Sequence, residues 1–496
     1  MKILFLSPEA VPFAKTGGLA DVAGALPVAL RRMGADVRSV LPYYCDVKDG
    51  NFERQLLIRD LKVPLGPIKL SVNVLEAQGE DGLPVYLIER EDLYDRPHLY
   101  GNAMGDYYDN LERFTVLSHA ALLLAERLSF RPHVIHCHDW QTGLVPALLK
   151  GPYRRSPFLA GTPSVFTIHN IGYQGIFPEG KFPLTGLSRA ETFHPEGIEY
   201  WGKFSLLKAG IVYSKAVTTV SPKYSQEIQT PEYGLGMEGI LRRRKAFLHG
   251  ILNGVDYSQW DPAGDEHIAT NYSGETLEGK QTCKEALIEE MNLDPGLMNR
   301  PLLAMVTRLD KQKGLDLFLD ILDDVLGLDV GLVILGSGDD EIQEALRDKA
   351  VARSRRMGIF VGFSDPLAHR IIAGADLFLI PSRYEPCGLT QMYALRYGTV
   401  PVVRATGGLE DTVTSFDPQS GRGNGFKFTA YEPAACLAAI REAVGIYESP
   451  NAWNALRANG MREDFSWARS ARRYLELYES LLPGKLASTE TPEEKQ

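Results

Sequence analysis

The residues able to do chemistry fall into a few short clusters. His136-Cys137-His138-Asp139-Trp140-Gln141 places two imidazoles and a carboxylate close together, and Thr167-Ile168-His169-Asn170 adds an imidazole beside a side-chain amide. An H-x-H-D spacing can ligate a metal, but only alternate residues of an extended strand share a face and no third ligand is evident. The pattern favours hydrogen bonding to a polar substrate, with packing near a turn as the second reading for one of His136 and His138. Lys15-Thr16-Gly17-Gly18-Leu19-Ala20-Asp21 joins two glycines to a lysine. Backbone N–H groups at such a helix entry can approach an anion while the lysine adds a point charge, so pyrophosphate is the natural guest. A Gly-rich loop with a solvated lysine is the plain alternative, and no G-x-x-x-x-G-K phosphate loop is present.

Two further clusters lie in the second half. Thr307-Arg308-Leu309-Asp310-Lys311-Gln312-Lys313-Gly314 holds Arg308 and Lys313 in one loop. A guanidinium fork and an ammonium can together neutralise two phosphates there, the alternative being a solvated charged turn. In Ser382-Arg383-Tyr384-Glu385-Pro386-Cys387-Gly388-Leu389-Thr390-Gln391, Glu385 offers a carboxylate for sugar hydroxyls, and Gly388, Leu389 and Thr390 offer backbone N–H groups for phosphate. A glutamate near a helix start is also favoured by the dipole alone. Cys387 has no partnered histidine and reads as a packing residue rather than a nucleophile. Leu335-Gly336-Ser337-Gly338-Asp339 lacks the third glycine of the dinucleotide fingerprint, so NAD binding is unsupported.

These clusters must be positioned by the elements around them. Short apolar runs at 2–6, 37–41, 84–89, 133–136, 164–168 and 216–220, then at 302–307, 330–335, 358–361, 376–380 and 400–403, read as buried parallel strands. Stretches with helical spacing, such as 111–128 and 367–373, separate many of them, which makes the class α/β. One sheet of all these strands would exceed the usual limit of about ten, so two doubly wound, Rossmann-like domains are expected. The seam is placed near 250, giving domains 1–250 and 251–455. The chain beyond about 440 reads as helix through Leu482, and the polar tail 483–496 as disordered. Thr16-Gly17-Gly18-Leu19-Ala20-Asp21 is echoed by Thr406-Gly407-Gly408-Leu409-Glu410-Asp411, either as two related helix entries or by chance.

Composition narrows the partners. With 53 basic against 63 acidic side chains the net charge is −10, which disfavours nucleic acid and anionic membrane. Arg242-Arg243-Arg244-Lys245 then reads as a solvated helix face. The five cysteines are scattered without a C-x-x-C pair, so reduced thiols are expected. The first residues resemble no signal peptide, and no segment is apolar enough to span a bilayer. A cytoplasmic location follows as the expectation.

Taken in order, S-P-E-A-x-P-F-A-K-T-G-G-L-A-D-V, H-C-H-D-W, T-I-H-N, T-R-L-D-K-Q-K-G and E-P-C-G-L-T-Q-M-Y-A-L resemble the bacterial glycogen synthase and plant starch synthase family. The resemblance runs from Met1 to about Leu482. It implies a two-domain retaining glycosyltransferase with a deep cleft between its halves and a final helix, 456–482, returning to the first domain. The implied reaction moves glucose from ADP-glucose to the non-reducing end of an α-1,4-glucan such as glycogen, without metal or other cofactor. Lys15 and Gly18 would lie near the donor phosphates, together with Gly388, Leu389 and Thr390. Arg308 and Lys313 would balance the departing diphosphate. Glu385 would contact the donor glucose, and Asp139, His169 and Asn170 the sugar from the first domain; Asp21, Asn253 and Cys387 complete the sugar and acceptor set. The implied catalytic residues are Glu385, His169, Arg308, Lys313 and Asp139. The broader retaining class often carries Glu-x7-Glu, but here the second position is Tyr393. The alternatives are a UDP-glucose enzyme with another acceptor, a nucleotide-sugar epimerase and a non-catalytic glucan-binding protein.

Overall fold

Apolar runs bounded by turn residues must satisfy their backbone groups in a sheet before helices can cover both faces. The computed structural model describes residues 1–102 and 104–482, which form two compact units. Among the described residues, the first comprises Met1–Val220, Ser225–Gly254 and the chain from Trp467 to Leu482; the second comprises Ser221–Tyr224 and Val255–Ser466. The tail at 483–496, expected to be disordered, lies outside the described residues.

The first unit is built on nine strands: β1 (Lys2–Leu6), β2 (Asp36–Pro42), β3 (Arg54–Leu65), β4 (Ile68–Gln78), β5 (Pro84–Glu89), β6 (Val134–His138), β7 (Ser164–Ile168), β8 (Ala216–Thr219) and β9 (Leu248–Gly250). Their order is β9-β8-β7-β6-β1-β2-β5-β4-β3. Pairing is parallel from β9 through β5, whereas β4 runs antiparallel to both β5 and β3. The hairpin β3–β4 was not expected from the sequence. Its outer strand exposes Leu56 and Leu57, and register shifts between Leu56 and Leu61 break the two-residue alternation that marks a strand. Helix α1 (Gly18–Arg32) follows β1, α2 (Asn110–Arg127) precedes β6, and the short α3 (Asp139–Thr142) follows it.

The second unit carries six parallel strands: β10 (Leu302–Val306), β11 (Gly331–Gly336), β12 (Met357–Val361), β13 (Leu377–Ile380), β14 (Val400–Arg404) and β15 (Phe426–Phe428). The order is β12-β11-β10-β13-β14-β15. Helices α4 (Leu315–Leu326), α5 (Thr390–Arg396) and α6 (Gly407–Thr412) follow β10, β13 and β14. Leu303, Met305, Phe318, Leu322, Ile334 and Leu377 belong to one buried core that also takes in Trp453 and Leu456. The helix Pro450–Met461, divided by the expected boundary at 455, therefore stays whole in this unit.

The chain re-enters the first unit at Trp467. Helix α7 (Trp467–Ser480) buries Trp467, Ala471, Tyr474, Leu477 and Tyr478 along one stripe. Ser470 Oγ donates to the Leu252 carbonyl at 2.7 Å, and Tyr478 Oη hydrogen-bonds His136 Nδ1 at 2.8 Å beneath β6. Among the described residues no helix is long and apolar enough to cross a membrane. Replacing Tyr478 by Phe leaves a buried imidazole nitrogen without its partner. We expect Tyr478→Phe to lower the unfolding free energy of the first unit by about 1–3 kcal/mol, read as a reduced urea midpoint.

Candidate active site

In a doubly wound sheet the loops after two adjacent strands part in opposite directions where the strand order reverses, and the carboxyl ends there open a crevice. The first sheet reverses between β1 and β6, and the second between β10 and β13. The sequence clusters occupy the loops after these four strands and the exit of β7.

After β1, Glu9 is buried, and its Oε2 accepts the Thr16 N–H at 2.6 Å and the Thr16 hydroxyl at 2.8 Å. Burial pushes its carboxyl up to about 7 against the opposing pull of the Thr16 bonds, and the charge of Asp21 raises it further. The carboxylate thereby pins the loop carrying Lys15, whose Nζ pairs with Asp21 Oδ1 at 2.7 Å. Gly18 opens α1, and no side chain caps that helix start.

After β6, Asp139 holds φ at +54°, a left-handed conformation costly for a residue with a Cβ. Its buried Oδ1 accepts the His169 N–H at 2.7 Å, and the Asn170 N–H adds a second bond, so Asp139 ties the exit of β6 to that of β7. Burial raises its carboxyl to about 7, to which the nearby charge of Glu9 contributes. Burial holds the Tyr100 hydroxyl well above its ordinary pKa, and the charges of Glu9 and Asp139 add to the rise. His169 Nε2 bonds His138 Nδ1 at 2.9 Å, and burial brings the His169 imidazole down to about 3, so it is neutral at physiological pH. His136 has the packing role: it bonds Thr167 Oγ1 at 2.6 Å and Tyr478, and Thr167 in turn bonds Thr218 at 2.5 Å. Asn170 Oδ1 accepts the Gly172 N–H at 2.9 Å. Asn253, beyond β9, is buried with its side-chain oxygen unmatched by any donor among the described residues.

In the second unit, Lys313 Nζ and Ser382 Oγ both donate to Glu385 Oε2, at 2.6 and 2.9 Å, leaving Oε1 as the second acceptor oxygen. Lys313 and Glu385 come from the loops after β10 and β13, so the strand reversal brings them together. Arg308 is half exposed, with its guanidinium 3.2 Å from Gln312 Oε1 and 3.6 Å from Asp310. Leu309 N–H donates to the Ser337 carbonyl at 2.9 Å, which gives Gly336-Ser337-Gly338 a packing role under the Arg308 loop. Thr406-Gly407-Gly408, the echo of the first-unit glycines, also enters a helix, and a Cβ on Gly407 would stand 1.8 Å from the Glu385 carbonyl oxygen. Glycine there is a condition for the placement of Glu385. Gly388 takes φ at +69°, Leu389 caps α5 and Thr390 begins it. Cys387 is buried, and its carbonyl accepts from Gln391 Nε2 at 3.1 Å. Tyr393, where the broader class has a second glutamate, stacks on Trp260 with ring centroids 4.0 Å apart.

The structure thus assembles Lys15, Gly18 and Asp21 at one helix start, Asp139, His169 and Asn170 at two adjacent strand exits, and Arg308, Lys313, Glu385, Cys387, Gly388, Leu389 and Thr390 around the second reversal. Sequence reasoning missed Glu9, Tyr100 and Ser382. Glu9 lies within the S-P-E-A stretch, but a carboxylate just beyond a strand carries no signal until its burial is known.

Family models match residues 2–243 as a starch synthase catalytic domain and residues 290–456 as glycosyl transferases group 1. A glycogen synthase of Anaeromyxobacter sp. (strain Fw109-5) is 50% identical over 482 residues, 97% of this chain and 99% of the relative. One from Geobacillus stearothermophilus is 44% identical over 97% of this chain and 98% of its own. The catalytic domain of starch synthase IV from Arabidopsis thaliana, bound to ADP and acarbose, superposes with a TM-score of 0.90 at 33% identity, covering 97% of this chain and 99% of that one. A sucrose-phosphate synthase from Thermosynechococcus elongatus, at 18% identity and a TM-score of 0.59 over 97% and 98% of the two chains, shares the fold.

Because burial raises Glu9 from 4.5 to about 7, the folded chain binds that proton more tightly than the unfolded chain does. Stability present below pH 4.5 is therefore lost as the pH rises through about 7. Glu9→Gln should flatten the fall of the urea midpoint between roughly pH 5 and 8, by about 1.4 kcal/mol for each tenfold difference in proton affinity between the folded and unfolded chain. An unchanged slope would contradict this role for Glu9.

Proposed function

Because the chain belongs to the glycogen synthase and starch synthase family, we propose that it transfers glucose from ADP-glucose to the non-reducing end of an α-1,4-glucan, with retention of configuration. The observation that carries this reading is the Lys313–Glu385 pair at 2.6 Å, beside Arg308, at the strand reversal of the second unit. It sets an acceptor for sugar hydroxyls next to cations for a diphosphate. ADP as the nucleotide product is supported by the Arabidopsis starch synthase that binds it.

The bond from the sugar C1 to the phosphate oxygen breaks as the bond from the acceptor 4-oxygen forms on the same face, and the leaving phosphate takes the acceptor's proton. Negative charge grows on the diphosphate. Arg308 and Lys313 offset it, with the backbone N–H groups of Gly388, Leu389 and Thr390, so the design calls for no metal. Glu385, already oriented by Ser382, accepts from the donor glucose. Lys15 and Gly18 are assigned to the donor phosphates. Asp139 acts by fixing the His169–Asn170 turn, and a neutral His169 contributes a hydrogen bond rather than a charge. Asp21, Asn253 and Cys387 are assigned to sugar contacts. The five unbridged cysteines suit a reducing cytoplasm.

The test is nucleotide release from ADP-glucose and UDP-glucose, with and without glycogen. We expect glycogen-dependent ADP release that a chelator leaves unchanged. Glu385→Ala and Lys313→Ala should each lower kcat on the order of 100-fold or more. Release from UDP-glucose alone would overturn the donor, and release without glycogen the acceptor.

A further inference from the structure

The segment following His169 continues into an apolar surface that the chemistry above leaves unused. Trp201 is 84% exposed, and Tyr173, Ile176 and Leu235 are 53%, 40% and 48% exposed. They lie on three segments tied by hydrogen bonds. Ser205 Oγ donates to the Gln174 carbonyl at 2.7 Å, and the Leu206 N–H to the Gly175 carbonyl at 3.0 Å. Gln174 Nε2 and Tyr200 Oη both donate to the Leu235 carbonyl, at 3.0 and 3.2 Å.

Backbone conformation singles out the same cluster. Trp201 and Gly202 form the two-residue turn between the paired strands Glu199–Tyr200 and Lys203–Ser205, with φ at +52° and +75°. Such turns favour Asn, Asp or Gly at the first position, and a bulky side chain there is strained. Leu235 is likewise at +48°. Among the described residues these are the only large apolar side chains with positive φ; the others are Asp, Ser, Asn and Arg. Neither gains much burial in return, so folding does not account for them, and strain held at an exposed aromatic points to a binding role.

The surface is also held in place. A Cβ on Gly175 would stand 2.5 Å from the Trp140 ring, so the loop rests directly on the residue after Asp139. The buried Lys208 donates to the Pro195 and Glu199 carbonyls, at 2.7 and 2.5 Å, anchoring the base of the hairpin. Exposed aromatic side chains, with Gln174 next to Tyr173 and Glu199 and Lys203 on the strands flanking the Trp201 turn, match a polymer whose sugar rings show C–H faces for stacking and hydroxyls at their edges. Tyr173 follows His169 by four residues in the chain, and His169 is the residue to which the proposed function gives a sugar hydrogen bond, which favours the acceptor glucan.

We propose that Trp201, Tyr173 and Leu235 form a platform for the acceptor glucan, binding glucose units beyond the terminal one that reacts. The proposal rests on the glucan synthase reading, and the experiment separates the two. Steady-state kinetics of the full chain would be compared with maltotriose, maltoheptaose and glycogen as acceptors, for wild type, Trp201→Ala, Trp201→Phe and Tyr173→Ala, with melting curves to verify folding. Trp201→Ala should raise KM for maltoheptaose and glycogen about tenfold, equal to about 1.4 kcal/mol, with KM for ADP-glucose and kcat on maltotriose unchanged. Trp201→Phe should recover part of the loss. A wild type that ignores all three acceptors would overturn the synthase reading itself. A wild type that uses them, while both alanine variants keep its KM for long acceptors, would overturn the platform alone. Loss of self-association in sedimentation, with acceptor kinetics intact, would reassign the surface to contact between copies and also overturn it.

Discussion

The reversal of strand order is the constraint on which the rest of this structure depends. Between β1 and β6, and again between β10 and β13, neighbouring parallel strands send their connections to opposite sides of the sheet, so no crossover helix covers the carboxyl ends there. Backbone N–H groups and side chains delivered to such an opening can serve a ligand without first being satisfied by the fold. Residues as distant in sequence as Lys313 and Glu385 meet for this reason alone.

The two openings differ in electrostatics. In the first unit, burial raises Glu9 and Asp139 to about 7, so that each is only partly ionised at physiological pH, and keeps His169 uncharged, so this surface offers directed hydrogen bonds more than fixed charge. In the second, Lys313 and Glu385 face each other as an ion pair beside Arg308. Neutral groups suit a sugar hydroxyl, which carries no charge to balance. Ionised groups suit a diphosphate, whose charge increases as it leaves.

Backbone placement is as demanding as charge. Asp139 occupies a left-handed conformation to bond the His169 and Asn170 amides, and Gly407 permits an approach to the Glu385 carbonyl that any side chain would block. The stack of Tyr393 on Trp260 shows the converse, an aromatic packing role where a broader class carries a carboxylate. In each case a short motif reads as chemistry, whereas the neighbouring chain decides whether it does chemistry or packing.

The sequence by itself determined the α/β class, the two-unit plan, most parallel strands and the candidate residues for a site, because apolar period and glycine-rich turns are local properties. Hairpin β3–β4 escaped it because a half-exposed strand with register shifts loses that period. The motifs around Lys15, Asp139, His169, Arg308 and Glu385 were legible for the same local reason. Only the tertiary structure decided that His136 packs under Tyr478 while His138 supports His169, since the two differ in neighbours and not in spacing. It alone gave Glu9 its place, because burial, which sets both its pKa and its hold on Thr16, is a property of chain segments brought together from afar.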